Sequence, residues 1–241
     1  MYVPFDEQLG IHPQDQDFLD QEVWAFDEMT PDQYPLLLQY PYFHLYRKQV
    51  VKQADLVLAL HIRGDHFDET AKRRNFAHYE PLTVRDSSLS AGTQSVVAAE
   101  VGHLDLAYDY LREALLTDFD DLHSNASNGL HLAAMAGGLV AVTNGIGGFR
   151  DHPGGGWILR PRLVGPLTRV VFRLMLKGVR LRVEVLPERA IYAVEGDGDV
   201  RIEHYGTEVL VGSEPISELI PAAPTGLIAP SHPRGRAPRR R

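Results

Sequence analysis

Residues 104–117, LDLAYDYLREALLT, and residues 170–185, VVFRLMLKGVRLRVEV, carry two different periods, and the change between them decides the fold. In the first, Leu104, Tyr108, Leu111 and Leu115 recur at steps of 4, 3 and 4, which lines one face of an α-helix. In the second, Val170, Phe172, Leu174 and Leu176 alternate with Val171, Arg173, Met175 and Lys177. Leu181, Val183 and Val185 then alternate with Arg182 and Glu184, again the period of a strand. Lys177-Gly178 lies between the two runs as a hairpin turn. A helical half followed by a strand meander makes an α+β chain.

Working outward, helical patterns are predicted over 53–63, ended by Gly64, over 67–79, and over 130–143, ended by Gly145. Another helix ends at Gly102, with Val97, Ala98 and Val101 on its buried face and Ser90 or Thr93 as N-cap. The helical half therefore runs over 51–147 with five helices. Strands near 190–194, 200–204 and 208–211 complete an antiparallel sheet domain of five or six strands over 148–220, with Gly196 to Asp199 as a turn. Residues 1–50 read as loop with short helical turns, but Phe18, Trp24, Phe26, Tyr34, Tyr40, Tyr42 and Phe43 are residues that pack against something. The final stretch, 221–241, is poor in large apolar residues and is expected to be a disordered, solvated tail despite its five arginines.

The composition narrows the function. A chain of 241 residues, 44% hydrophobic, buries a sizeable core. Its net charge of -8 opposes a general affinity for nucleic acid or anionic membrane, and neutral polyhydroxylated substrates suit such a surface. With no cysteine there is no disulfide, thiolate metal site or cysteine nucleophile. No apolar run has the length of a membrane span, and the first residues show neither a basic start nor an apolar signal core. A cytoplasmic location is the expectation.

Several segments stand out in order: GIHPQD at 10–15, KQAD at 52–55, RRNFAHYEPLT at 73–83, DSSLS at 86–90, NGLH at 128–131 and AAMAG at 133–137. Together they resemble the signature run of glycoside hydrolase family 65, the maltose, trehalose and kojibiose phosphorylases. The resemblance covers nearly everything from Phe5 to Val211. It implies the closing helices of an (α/α)6 barrel followed by a small antiparallel capping sheet. The implied activity is inverting phosphorolysis of an α-glucosidic disaccharide, with inorganic phosphate as co-substrate and no cofactor or metal.

The residues can also be read without the family. Lys52 and Gln53 sit at the start of a helix whose apolar residues are Leu56, Val57 and Leu60, so an ammonium and an amide face the space before its N-terminus. Such a pair binds vicinal hydroxyls, although a solvated lysine and a cap-like glutamine give the same pattern. Ser87, Ser88 and Ser90 bring hydroxyls to the N-terminus of the next helix, where an anion is favoured and where a plain serine cap is equally consistent. The resemblance assigns phosphate binding to Ser87, Ser88 and His131, and sugar contacts to Lys52, Gln53 and Glu80. Where phosphorylases of the family often carry histidine before the DSSLS aspartate, this chain has Arg85, itself a good phosphate ligand.

Glu80 and Asp86 are the carboxylates nearest these motifs, but neither lies in an acid motif. The resemblance puts the general acid on an earlier barrel helix, so no catalytic residue is expected in this chain. His61 with His66 and His123 with His131 lack the spacing of a helical zinc site, and GIGG at 145–148 follows a helix and is a helix stop. Three roles remain: a piece of a phosphorylase, a subunit completed by a separate N-terminal portion, and a non-catalytic carbohydrate-binding or interaction module. The expected partners are an α-glucosidic disaccharide, phosphate, that N-terminal portion and further copies of the chain. Val57, Leu60, Val97, Val101, Leu130 and Met135 are not expected all to be covered, because a ring of helices closes its core only when complete.

Overall fold

The computed structural model describes residues 3–151 and 156–238. The lead-in has three 3-10 turns, two short helices, α1 (Leu36–Gln39) and α2 (Tyr42–Leu45), and a two-residue parallel pair, β1 (Glu22–Val23) with β2 (Lys48–Gln49). Phe18, Phe26 and Tyr34 pack into the core as their apolarity predicts, whereas Tyr42 and Phe43 stay exposed.

Five longer helices follow: α3 (Asp55–Ile62), α4 (Glu69–Tyr79), α5 (Ser90–Val101), α6 (Leu104–Leu116) and α7 (Leu132–Val140), the last continued by a π-helical turn over Ala141–Ile146. α5 is the hub. Its sequence SAGTQSVVAAEV carries small residues on every side, and ten of its twelve residues are buried against α3, α4, α6 and α7. Gly102 ends it in the left-handed conformation, φ 98°, which a residue with a Cβ adopts only at a cost. The predicted serine or threonine N-cap is not there: Leu89 holds the cap position without a side-chain bond, and the buried Ser90 Oγ has no partner among the described residues.

The register of α5 against α7 fixes the geometry of the site. A Cβ added at Gly92 would lie 2.7 Å from the Gly137 Cα, and one at Gly145 would lie 3.4 Å from the Val96 Cα. Contacts therefore advance in the same direction along both segments, so α5 and α7 run parallel with their N-termini at one end. α6 returns antiparallel to α5, with Ser95 Oγ donating to the Ala107 carbonyl (2.7 Å). Its buried face is Leu106, Ala107, Tyr110, Leu111 and Ala114, rotated from the predicted stripe; Leu115 is instead exposed beside Gly138.

Among the described residues the second half holds eight strands, more than the five or six expected. β5 (Val170–Leu176), β6 (Val179–Val185), β7 (Arg189–Val194) and β10 (Ile216–Leu219) form one antiparallel sheet in the order β10-β7-β6-β5. β3 (Arg150–Asp151), β4 (Trp157–Leu159), β8 (Val200–His204) and β9 (Thr207–Val211) form another, in which β4 pairs parallel to β8. The sheet half is thus not purely antiparallel. The inward residues Leu181, Val183, Val185, Ile202 and Val211 join the same apolar cluster as the helices.

The expectation of a disordered tail is overturned for residues 221–238. His232 reaches the Tyr110 hydroxyl (3.1 Å) and the Glu80 carboxylate (3.2 Å). Arg236 donates from Nε to the Val84 carbonyl (2.5 Å) and from Nη2 to the Arg85 carbonyl (2.9 Å) and Asp86 Oδ1 (3.1 Å). Its guanidinium also lies 4.9 Å from the Tyr34 ring centre. Charge and hydrogen bonding fasten this strap where large apolar side chains are few, with Leu227 and Pro224 lying against Gly102. Residues 239–241, the last three arginines, lie outside the described residues.

Of the six apolar residues expected to compete for cover, Val57, Leu60, Val97 and Val101 are buried, while Leu130 and Met135 are exposed. Leu132 and Leu139 extend that exposed face along α7, and Leu58 and Ile62 face solvent on α3.

Candidate functional site

The segment before α3 is stitched to the segment before α5. Val51 donates to the Leu82 carbonyl and Val84 donates back to the Val51 carbonyl, both at 2.9 Å. Just beyond this stitch Gln53 meets Ser87, and Lys52 lines one cleft with Asp86. Ser87 Oγ donates to Gln53 Oε1 (3.0 Å), and Gln53 Nε2 donates to Asp55 Oδ1 (2.7 Å). Lys52 is exposed, Gln53, Ser87 and Ser88 are half-buried.

The loop is held from below. Arg85 has φ 54°, the left-handed region that non-glycine residues rarely occupy, so its neighbours must hold it there. Its guanidinium makes two bonds to Glu113 (2.8 and 2.7 Å) and lies 5.2 Å from the Tyr110 ring centre. Arg85 is thus buried in an ion pair, and its donors are turned away from solvent. Asp86 accepts from the Leu36 amide (2.6 Å) and from Arg236. Burial raises the Asp86 carboxyl above the ordinary aspartate range, against the pull of Arg236.

His131 occupies the N-cap position of α7. One carboxylate fixes it, since Asp118 accepts from the His131 amide (2.8 Å) and bonds its ring Nδ1 (2.5 Å). The hydrogen bond from His131 holds the Asp118 carboxyl below its usual range. The His123 ring centre is 6.3 Å from that of His131, and burial lowers the His123 pKa.

Two clefts open at this end. One, of about 430 Å³, is lined by Lys52, Gln53, Asp55, Asp86 and Gln14, with the rings of Tyr42 and Tyr46. The other, of about 390 Å³, runs between α3, α5 and α7 past Gln53, Leu89, Thr93, Ala133 and Gly137. Gln53 borders both.

The structure thus joins Gln53 to Ser87, sets Lys52 in the same cleft, and puts Ser88 and His131 at the same end of the parallel helices α5 and α7. His131 is bonded to Asp118, not to either serine. Glu80 is a correction to the expected sugar contacts: it is 0% exposed and accepts from Gln94 (2.7 Å) and Tyr110 (2.5 Å), so no sugar hydroxyl reaches it in this arrangement. Sequence reading missed Asp118, Glu113, His232 and Arg236, each of which acts only through the fold.

The model of the glycosyl hydrolase family 65 central catalytic domain matches residues 1–140. The chain belongs to glycoside hydrolase family 65. The family's C-terminal domain matches residues 149–211. Over 241 aligned residues the chain is 42% identical to an uncharacterized glycosyl hydrolase of Mycobacterium leprae (strain TN), covering 98% of this chain and 30% of that protein. It is 35% identical over 211 residues to the α,α-trehalose phosphorylase of Thermoanaerobacter brockii, covering 88% of this chain and 27% of that enzyme. A solved structure described as a kojibiose phosphorylase from the human microbiome superposes with a TM-score of 0.83 at 22% identity, over 91% of this chain and 30% of that one. That likeness shows the family fold. The chain spans about 30% of the length of the first two relatives. Among the described residues no helix is long and apolar enough to cross a membrane.

Proposed function

We propose that this chain forms the phosphate-binding side, and part of the glucose site, of an inverting α-glucosidic disaccharide phosphorylase. The observation that carries the reading is the convergence of three loops, before α3, α5 and α7, at one end of the helices, with Ser87 bonded to Gln53. Ser87 and Ser88 offer hydroxyls at the start of a twelve-residue helix, and His131 is oriented by Asp118. Phosphate held there attacks the anomeric carbon, while Lys52 and Gln53 hold sugar hydroxyls on the cleft wall. A general acid on a separate N-terminal portion protonates the leaving oxygen. That portion also covers the exposed apolar face of α7.

Incubating the purified chain with phosphate and maltose, trehalose or kojibiose tests the division of labour. No glucose 1-phosphate is expected from the chain alone, since an unprotonated leaving group costs roughly 10²–10⁴ in rate. Adding the N-terminal portion of a family 65 trehalose phosphorylase is expected to give phosphate-dependent turnover that Ser88→Ala and His131→Ala remove. Turnover by the chain alone would overturn the reading, as would full activity of both variants in the complemented enzyme.

A further inference from the structure

A third cavity lies away from these loops, at the other end of α5. It measures about 590 Å³ and opens where the helices meet the sheets, lined by Lys72, Glu100, Arg150, Arg160, Arg162 and Tyr205 among others. α5 is twelve residues long, so about 18 Å separates its two ends.

The floor of this cavity is a buried charge triad. Glu100 is held between Lys72 Nζ (2.6 Å) and Arg150 Nη2 (2.9 Å), whose side chains are 7% and 10% exposed. Burial opposes the ionised Glu100, but Arg150 and Lys72 outweigh it and hold its carboxyl below the usual glutamate range. Two cations against one carboxylate leave the floor positive.

The rim adds more positive charge with little to neutralise it. Arg162 has no carboxylate partner among the described residues, and its Nε is buried without a hydrogen bond, as is that of Arg150. Arg160 is half exposed and has only a loose pairing with Glu203 at 3.7 Å. The other wall carboxylates are engaged elsewhere: Asp68 caps α4 through the Ala71 amide (2.7 Å), and Glu69 pairs with Arg73. In a chain of net charge -8, four cations have gathered around one open cleft. The space has the size of a small-molecule site, far larger than one phosphate, and Phe67, Tyr205 and Pro224 give it apolar faces.

We propose that this cavity binds a phosphomonoester carried on a sugar-sized body. Arg160 and Arg162 take the phosphate oxygens, the geometry for which guanidinium groups are suited, and the faces of Phe67 and Tyr205 bound the carrier. The proposal is independent of the role assigned to the Ser87 loop.

Calorimetric titration of the chain with glucose 6-phosphate, inorganic phosphate and glucose tests it. Glucose 6-phosphate is expected to bind, inorganic phosphate at least tenfold more weakly, and glucose not measurably. Arg160→Gln, at a half-exposed position, and Arg162→Lys, which keeps the charge, are each expected to weaken glucose 6-phosphate binding about tenfold, with unchanged circular dichroism. Ser88→Ala/His131→Ala is expected to leave it intact. Absence of glucose 6-phosphate binding, or binding that survives Arg160→Gln and Arg162→Lys together, overturns the proposal. So does loss of binding in the Ser88→Ala/His131→Ala variant, which would place the ester at the other end of α5. Equal affinity for inorganic phosphate would overturn the assignment of a sugar-sized carrier.

Discussion

Replacing Arg236 with alanine removes the anchor that ties the end of the chain to the loop before α5. The guanidinium makes bonds of 2.5, 2.9 and 3.1 Å to the Val84 and Arg85 carbonyls and to Asp86, and lies over Tyr34. Hydrogen bonds involving charged groups contribute about 1.5–3 kcal/mol each, and a ring contact about 0.5–1 kcal/mol. Against this stands the desolvation of the guanidinium, which is the cause of its lowered pKa. The net expectation for Arg236→Ala is a loss of about 3 kcal/mol. At about 2–4 °C per kcal/mol for a chain of this size, Tm falls by roughly 6–12 °C. Arg236→Lys keeps the charge beside Asp86 but loses the fork, and is expected to fall about half as far. Arg234→Ala, which removes one exposed bond to the Asp27 carbonyl, serves as control and should shift Tm by less than about 2 °C. Thermal melts of the three variants, followed by circular dichroism, give the comparison. An Arg236→Ala variant melting within about 1 °C of the parent would refute the view that the strap stabilises the helical half.

Gly92→Ala would force a Cβ to 2.7 Å from the Gly137 Cα, and this backbone clash is expected to cost about 1–3 kcal/mol in urea melts. Burial and the neighbouring Arg150 lower the His61 pKa from 6.5 to about 4, so the unfolded chain binds this proton first. Stability is therefore expected to fall by up to about 3 kcal/mol as pH drops from 6.5 to about 4, and His61→Asn should flatten that limb of the profile. Glu100, whose folded pKa is depressed, stabilises above the ordinary glutamate range and loses that contribution on acidification below it; Glu100→Gln leaves Lys72 and Arg150 facing each other and should cost about 3–5 kcal/mol at neutral pH. The exposed leucines of α7 should make the isolated chain bind hydrophobic dyes or self-associate, and Leu132→Lys/Leu139→Lys should reduce both, as read by dye fluorescence and sedimentation.

What the sequence discloses here depends on how local the cause is. The helices and the β5–β6 hairpin announce themselves because each rests on a repeating period within a dozen residues. The stripe of α6 was misplaced by part of a turn because that helix is packed on more than one side: Tyr108 abuts Gly165 while Tyr110 points into the core. The parallel β4–β8 pairing joins Ile158 to Glu203, and no local pattern encodes such a distant partner. In the site, Gln53 and Ser87 stand in readable motifs, and the 3.0 Å bond between them follows from stitching 34 residues apart. Glu80 shows the reverse case. Its motif suggested a ligand contact, but Tyr110, Gln94 and His232, all remote in sequence, enclose it. The strap escaped notice because proline, glycine and arginine usually signal solvated chain, and only a waiting carboxylate and two free carbonyls give such a segment somewhere to bind.

Those bonds also set an order of events during protein synthesis. His232 meets Tyr110 across 122 positions, and Arg236 meets Val84 across 152. At about 5–20 residues per second, the loop before α5 leaves the ribosome roughly 8–30 s ahead of the arginine that will secure it. Throughout that interval Glu80 lacks its histidine and Asp86 its guanidinium, while the whole sheet half is being made. The clasp on the helical half therefore closes only after the sheet half has been made, and a nascent chain halted before residue 232 holds the Ser87 loop without its histidine and its guanidinium.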